Sequence, residues 1–243
     1  MSISSSLDQL HSKVIQNRWM RYFAIFNRIA LAAGFLPAGW VKIIGERFTD
    51  LHNDQPMGHY LEALHHTGYY YTFIGVLQVA AAVLLLIPRT ALLGALLYFP
   101  IILNITILSF AVRFEGSLLT APMMVLANLY LLCWDFDKLK FIFPFYRPAN
   151  QSDLPNHKTL SKKFPALFFA GVFATIVLYV LFITNVYNIM PRNTLPDCVT
   201  QCDDSSNPSA CEDFCDCIHN QGQPLDKCLD KYKKAIKDTS RTK

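Results

Sequence analysis

Charge is what this sequence has least of. Only 16% of its 243 residues are charged and 52% are hydrophobic, whereas a soluble domain carries about 25% charged residues. That deficit excludes an ordinary soluble domain for most of the chain. Motifs for common enzyme classes are also missing: there is no P-loop, dinucleotide fingerprint, nucleophile elbow or HExxH, so the sequence does not establish an enzyme. No basic cluster carries a base-stacking aromatic pattern, which excludes nucleic acid as the expected partner. Internal repeats and low-complexity tracts are absent. So is a cleavable secretory signal: Met1 to Gln16 is polar, the first apolar run begins near Tyr22, and no small-residue cleavage site follows. The first apolar run is expected to stay in a membrane.

The charge that exists is unevenly placed. Residues 1–190 hold 14 basic and 9 acidic residues, and residues 191–243 hold 8 and 9. Nearly all apolar runs lie in the first part, while the second is polar and cysteine-rich. The division expected is a segment 1–21, a membrane domain 22–140, a linker 141–163, a fifth span 164–190 and a cysteine-rich domain 191–243.

Tyr69 to Val112 orients the membrane part. It is broken once, at Pro88-Arg89-Thr90, and each half is long enough to cross ~30 Å of hydrocarbon at ~1.5 Å per residue. Span 1 is expected over Tyr22–Ile44, span 2 over Tyr69–Ile87, span 3 over Ala91–Val112, span 4 over Ser117–Cys133 and span 5 over Phe164–Ile189. Leu7–Arg21 reads either as an amphipathic surface helix or as a basic tail. Pro56 and Gly68 bound an interfacial helix before the aromatic girdle Tyr69-Tyr70-Tyr71. With the N-terminus in the cytoplasm, Arg89 and most other basic loop residues fall inside, and Lys42, Arg47 and Arg113 lie near the outer face. Five spans then place the C-terminal tail outside, where disulfides persist.

Six cysteines fill that tail: Cys198, Cys202, Cys211, Cys215, Cys217 and Cys228. Cys198 and Cys202 are four apart, as are Cys211 and Cys215, so each pair shares a face if helical. Two short helices stapled through these pairs, with a third from Leu225 to about Lys237 bringing Cys228 to Cys217, would support a domain too small for a large core. Fifteen pairings are open. A zinc site is the alternative, although no C-x2-C pair is present. A redox dithiol at Cys215 and Cys217 is another, with acidic neighbours that disfavour a thiolate. Cys133, in span 4, reads as a small apolar filler.

Arg28, Gln78, Asn104 and Asn128 lie within spans, where polar groups need partners. Two readings stand: an interior polar pocket for a quinone headgroup, a small polar solute or water, or interhelical hydrogen bonds with Arg28 reaching to headgroups. His59, His65 and His66 read as surface histidines or, less economically, as metal or haem ligands. No resident metal or cofactor is expected beyond the quinone that such a pocket would take.

Three stretches carry a family pattern: RIALAAGFLPAGWVKI in span 1, GVLQVAAAVLLLIPRTALLGALL across spans 2 and 3, and NLYLLCWDFDKL at the end of span 4. Over Phe23–Leu139 the chain resembles the DoxX-like family of integral membrane proteins. The resemblance implies an all-α, DoxX-like four-helix transmembrane bundle, to which this chain adds a fifth helix and a disulfide-rich tail. DoxX-like sequences often carry an acidic residue where this chain has Gln78, a departure that speaks against an acid-dependent role there. Some members are membrane subunits of thiosulfate:quinone oxidoreductases, and others accompany oxidative-stress complexes. The expectations are therefore an accessory or scaffold protein docking membrane or periplasmic partners through its tail, a quinone-linked subunit, or a small-solute transporter. The resemblance places it in a bacterial inner membrane, surrounded by the lipid bilayer.

Overall fold

The computed structural model describes residues 11, 13–139, 161–203 and 205–241. Of the stretch Leu7–Arg21, residues 7–10 and 12 fall outside them, as do residues 141–160 of the linker expected over 141–163. Among the described residues the fold is all-helical. There is no strand, only one bridge between Asn17 and Ser161. Five helices are long and apolar enough to cross a membrane, the mark of an integral membrane protein.

Helix α1, Arg18–Ile43, starts earlier than the apolar run alone implies. Asn17 explains this: its side-chain oxygen accepts from the Trp19 and Met20 amides and caps the helix. The buried face of α1 is the stripe Met20, Ala24, Asn27, Leu31, Phe35, Gly39 and Lys42, spaced three or four apart as a helix packed on one side requires. After a loop comes α2, Pro56–His65, capped by Gln55. Helices α3, Tyr69–Leu86, and α4, Ala91–Ala111, form the hairpin around Pro88. The fourth span is broken: α5, Glu115–Leu118, gives way at Leu119 to α6, Thr120–Trp134, followed by α7, Phe136–Leu139.

The bundle is organised on α1, which packs on α3 and α6, while α4 packs on α3 and α6. Its core is Leu31, Phe35, Ala81, Ala82, Leu85, Ala95, Tyr98, Ile102, Ala121 and Leu131. Phe35 stacks on Tyr98 with ring centroids 3.6 Å apart. The Tyr98 hydroxyl donates to the Leu31 carbonyl at 3.2 Å, so this large ring is buried with its polar end satisfied. Hydrocarbon gives little hydrophobic drive between helices, so close packing of small residues decides the contacts. One such contact is at Gly39 and Gly75. A Cβ at either would lie 2.7 Å from the other's carbonyl oxygen.

Helix α8, Ala166–Val186, has no buried residue. It is held to the bundle at points: the Tyr179 hydroxyl donates to Leu118 at 2.6 Å, and Phe168 and Phe169 pack edge-on against Phe23 at 5.6 and 5.4 Å. The chain then enters a small head of α9, Leu195–Thr200, α10, Pro208–His219, and α11, Leu225–Arg241. Three disulfides staple it: Cys198–Cys215, Cys202–Cys211 and Cys217–Cys228. They cross-link residues 17, 9 and 11 apart in sequence, a type of link that typically contributes about 2–4 kcal/mol. Phe214, Ile218, Leu229 and Tyr232 fill what core the head has.

Gly39→Ala should force α1 and α3 apart, because a backbone carbonyl cannot rotate away as a side chain can. We expect a loss of about 1–3 kcal/mol, read as a lower Tm of the purified protein. Gly171→Ala, where a new Cβ meets nothing within 4 Å, should show no such loss.

Candidate functional site: a cleft between the head and the bundle

The head is fastened to the bundle by two arginines that reach in opposite directions. Arg113, in the loop between α4 and α5, donates from Nη1 to the Ile189 carbonyl at 2.9 Å and lies over the Tyr187 ring at 4.4 Å. Arg192, in the strap leading to α9, donates from Nη1 to Glu115 at 2.6 Å. Both hold left-handed backbones, with φ of 52° and 51°, which L-residues adopt at a cost of about 1–2 kcal/mol each. Burial pushes the Arg113 guanidinium down from its ordinary pKa, while Tyr187 and Asp226 oppose that shift. A guanidinium nonetheless stays charged.

Loop 47–55 forms the facing wall. Arg47 pins it, donating to the Leu51 carbonyl and Asn53 Oδ1, both at 2.7 Å, and pairing with Glu62 at 3.0 Å. Gln55 is buried; it caps α2 through the Gly58 amide and donates to the Arg192 carbonyl at 3.4 Å. His219, at the end of α10, is buried and bonds from Nε2 to the Pro191 carbonyl at 2.6 Å. Between these walls is a cleft of about 550 Å³ lined by Thr49, Asp50, Leu51, His52, Asn193, Thr194, Leu195, His219 and Asn220. That volume is in the range of small-molecule sites. The residues come from three stretches far apart in the chain, and sequence reasoning missed the site.

The four polar residues singled out within the spans are not gathered into one pocket. Arg28 pairs with Asp135 at 3.4 Å where α1 meets the end of α6. Asn128 is fully buried between α6 and α4, donating to the Ala95 carbonyl at 3.1 Å. Gln78 is buried at the α1–α3 crossing, its Cβ against Gly39. Asn104 is a correction: it faces outward. The buried stripe of α4 runs through Tyr98, Ile102, Thr106 and Ser109, and a residue two past Ile102 points about 200° around the helix. Depth along a span was readable, but azimuth was not. Two further polar side chains are buried. Asn27 lies on the α1 stripe and is 5% exposed. Lys42, expected near the outer face, is buried, donating to the Ala38 carbonyl at 2.9 Å with Phe48 4.1 Å away in cation–π contact.

The six tail cysteines are all in disulfides, whereas Cys133 in α6 is free and exposed. Cys202, Cys211 and Cys215 have sulfurs close enough to hold one ion, but each is in a disulfide, and zinc requires thiolates. Cys215 and Cys217 bond to different partners, so they form no C-x-C dithiol. His65 meets Tyr71 edge-on at 5.3 Å, His66 contacts Glu62, and His59 is exposed.

Comparison with known proteins adds little. No family model matches the chain, and no solved structure matches it significantly. It is similar to Uncharacterized protein YwoB of Bacillus subtilis (strain 168), at 42% identity over 73 residues, 30% of this chain and 46% of that protein. The chain thus matches less than half the length of this relative, whose name carries no activity.

Two measurements test the electrostatics. Asp135 also pairs with Lys138 at 2.7 Å, so losing Arg28 leaves it a partner, whereas losing Asp135 strands the half-buried Arg28. Asp135→Leu should therefore cost about 3 kcal/mol and Arg28→Leu less, with the double substitution recovering most of the loss in thermal unfolding. In the head, Asp216 accepts from Asn220 at 2.8 Å and Gln221 at 2.6 Å, which holds its carboxyl below the usual range. Its stabilising effect is present above the unfolded-state value of about 4 and is lost as pH falls through the lower folded value. Asp216→Asn should flatten the head's loss of stability between about pH 5 and pH 2.

Proposed function

We propose that the chain is a membrane accessory or scaffold protein of DoxX-like type, docking redox or cell-envelope partners through its cysteine-rich head. The observation that carries this reading is the fastening of the head. A flexibly tethered module would be joined to the bundle only through α8. Here Arg113 to Ile189, Arg192 to Glu115 and Gln55 to Arg192 bond its strap to two separate stretches, 113–115 and Gln55. Fixing a module before it meets a partner removes an entropy cost that association otherwise carries. The head is also strongly polar outside: Glu212 and Asp213 are exposed on α10, as are Lys227, Lys231 and Lys234 on α11. In this reading the N-terminus is cytoplasmic, the head is extracytoplasmic and the membrane is a bacterial inner membrane. The Arg89 turn and the three disulfides support that orientation.

A quinone-linked oxidoreductase subunit is the second reading, and one observation favours it. Asn27 Nδ2, Arg28 Nε, Gln78 Oε1 and Asn128 Oδ1 are buried within spans without hydrogen-bond partners, and such groups in a hydrocarbon setting call for a polar ligand or water. Asn27 Nδ2 and Arg28 Nε would donate to a carbonyl-bearing headgroup, and the quinone would accept electrons from a partner's donor.

Affinity capture from membranes distinguishes the two readings. The full chain and a version ending at residue 190 should return different partner sets, with the difference assigned to the head. Identical sets would refute docking through it. Quinone reduction in membranes given thiosulfate, abolished by Asn27→Leu, would instead establish the second reading.

A further inference from the structure

We propose that the start of α1 and the entry to α8 together bind the phosphate of an anionic phospholipid. The two stretches lie far apart in sequence and are joined by backbone pairing. The Arg18 amide donates to the Ser161 carbonyl at 3.2 Å, and the Ser161 amide to the Gln16 carbonyl at 2.9 Å. The Asn17 side-chain amide donates to the Lys163 carbonyl at 2.8 Å. Arg18, Lys162 and Lys163 are thereby rooted side by side at one edge of the bundle, and all three are exposed. The sequence has no acidic residue over 9–45 or 154–196. Among the described residues no carboxylate pairs with any of the three; at the nearby end of α6, Asp135 is taken by Arg28 and Lys138. Arg18 Nε donates to the Tyr22 hydroxyl at 3.0 Å, with the guanidinium 5.7 Å from that ring's centroid. This holds the guanidinium in place and leaves its two Nη groups for a ligand, in the fork geometry that suits phosphate.

The rings around these cations identify the anion as a lipid's. Trp19, Tyr22 and Phe164 are each half exposed. Trp19 meets Phe164 edge-on at 5.3 Å and Tyr22 at 6.4 Å. Exposed Trp and Tyr concentrate at the headgroup level of a bilayer, and α1 and α8, both long and apolar enough to span one, begin here. The cations therefore stand where lipid phosphates stand. Side chains, not the helix terminus, form the site, because Asn17 already accepts from the Trp19 and Met20 amides. An acidic peptide would have to displace lipid from the same rings to reach it. The site also answers a need of the fold. Helix α8 has no buried residue, and at this end it touches the bundle through Phe168 and Phe169 against Phe23. A phosphate shared by Arg18, Lys162 and Lys163 would tie the entry of α8 to α1. The inference is independent of partner docking.

The full chain in maltoside micelles, at fixed ionic strength, is titrated with phosphatidylglycerol or with phosphatidylcholine of the same acyl chains while Tm is followed. Phosphatidylcholine carries the same phosphate with a cation that offsets it. Phosphatidylglycerol should give the larger rise in Tm, since a ligand stabilises the state it binds. A basic residue at a membrane surface is worth about fivefold in affinity for anionic lipid. Lys162→Gln and Lys163→Gln break no ion pair, and each should weaken the apparent phosphatidylglycerol affinity about fivefold. Combined with Arg18→Gln they should weaken it about a hundredfold. Arg18→Lys keeps the charge and should keep most of the affinity. Lys227→Gln, Lys231→Gln and Lys234→Gln together remove the same charge from the head and should leave the affinity at the parent's value. Equal shifts from the two lipids, parental affinity in both single lysine variants, or an equal loss in the head variant would each overturn the proposal.

Discussion

The structure depends on a reciprocal clamp. Arg113 extends from the bundle to the strap's Ile189, and Arg192 extends from the strap to the bundle's Glu115. Each arginine is held in a left-handed backbone, a conformation that persists only where surrounding contacts outweigh its cost. The Arg192–Glu115 pair is partly exposed and worth little as an ion pair alone. Its role is geometric: it fixes the strap's direction so that Pro191 meets His219 and the Arg192 carbonyl meets Gln55. The cleft exists because that strap crosses close to loop 49–52.

How much of this was readable depended on the range of the interaction. The spans follow from composition and length, and the α3–α4 turn from Pro88. The start of α1 followed from Asn17, a local cap that the sequence displayed but that the apolar run obscured. Tertiary placement was less legible. Arg28 needed a partner, and the sequence said so; that the partner is Asp135, 107 residues away, requires the packing of α1 on α6. Asn104 shows the same limit, because its place within a span was readable while the face it occupies was not. Thr49–His52, Asn193–Leu195 and His219–Asn220 carry no motif at all. Their meeting depends on the strap, and only the fold reveals it.

The glycine crossing of α1 and α3 couples the bundle to the head end. Gly39 admits Gln78, and Gly75 admits the stem of Lys42. Lys42 then rises between Phe48 and Tyr71, at 4.1 and 5.8 Å from their rings. The Tyr71 hydroxyl donates to the Glu46 carbonyl at 3.0 Å, and Arg47 next to it pins loop 49–53. A continuous set of contacts thus runs from the glycine crossing of α1 and α3 to the wall of the cleft. Separating α1 from α3 would disturb Lys42 and Tyr71 before it reached the head.

Two kinds of polar group result, and their surroundings give them different roles. Those inside the bundle are enclosed by apolar side chains, so unmatched atoms on Asn27, Gln78 and Asn128 need a bound polar species to offset their desolvation. At the cleft, Asp50 is open to water and an exposed carboxylate there costs little, whereas Asn193 Oδ1 is buried without a partner and carries the same desolvation cost as its counterparts in the bundle. The exposed group bears on what the cleft can select, and the buried ones on how the fold is held.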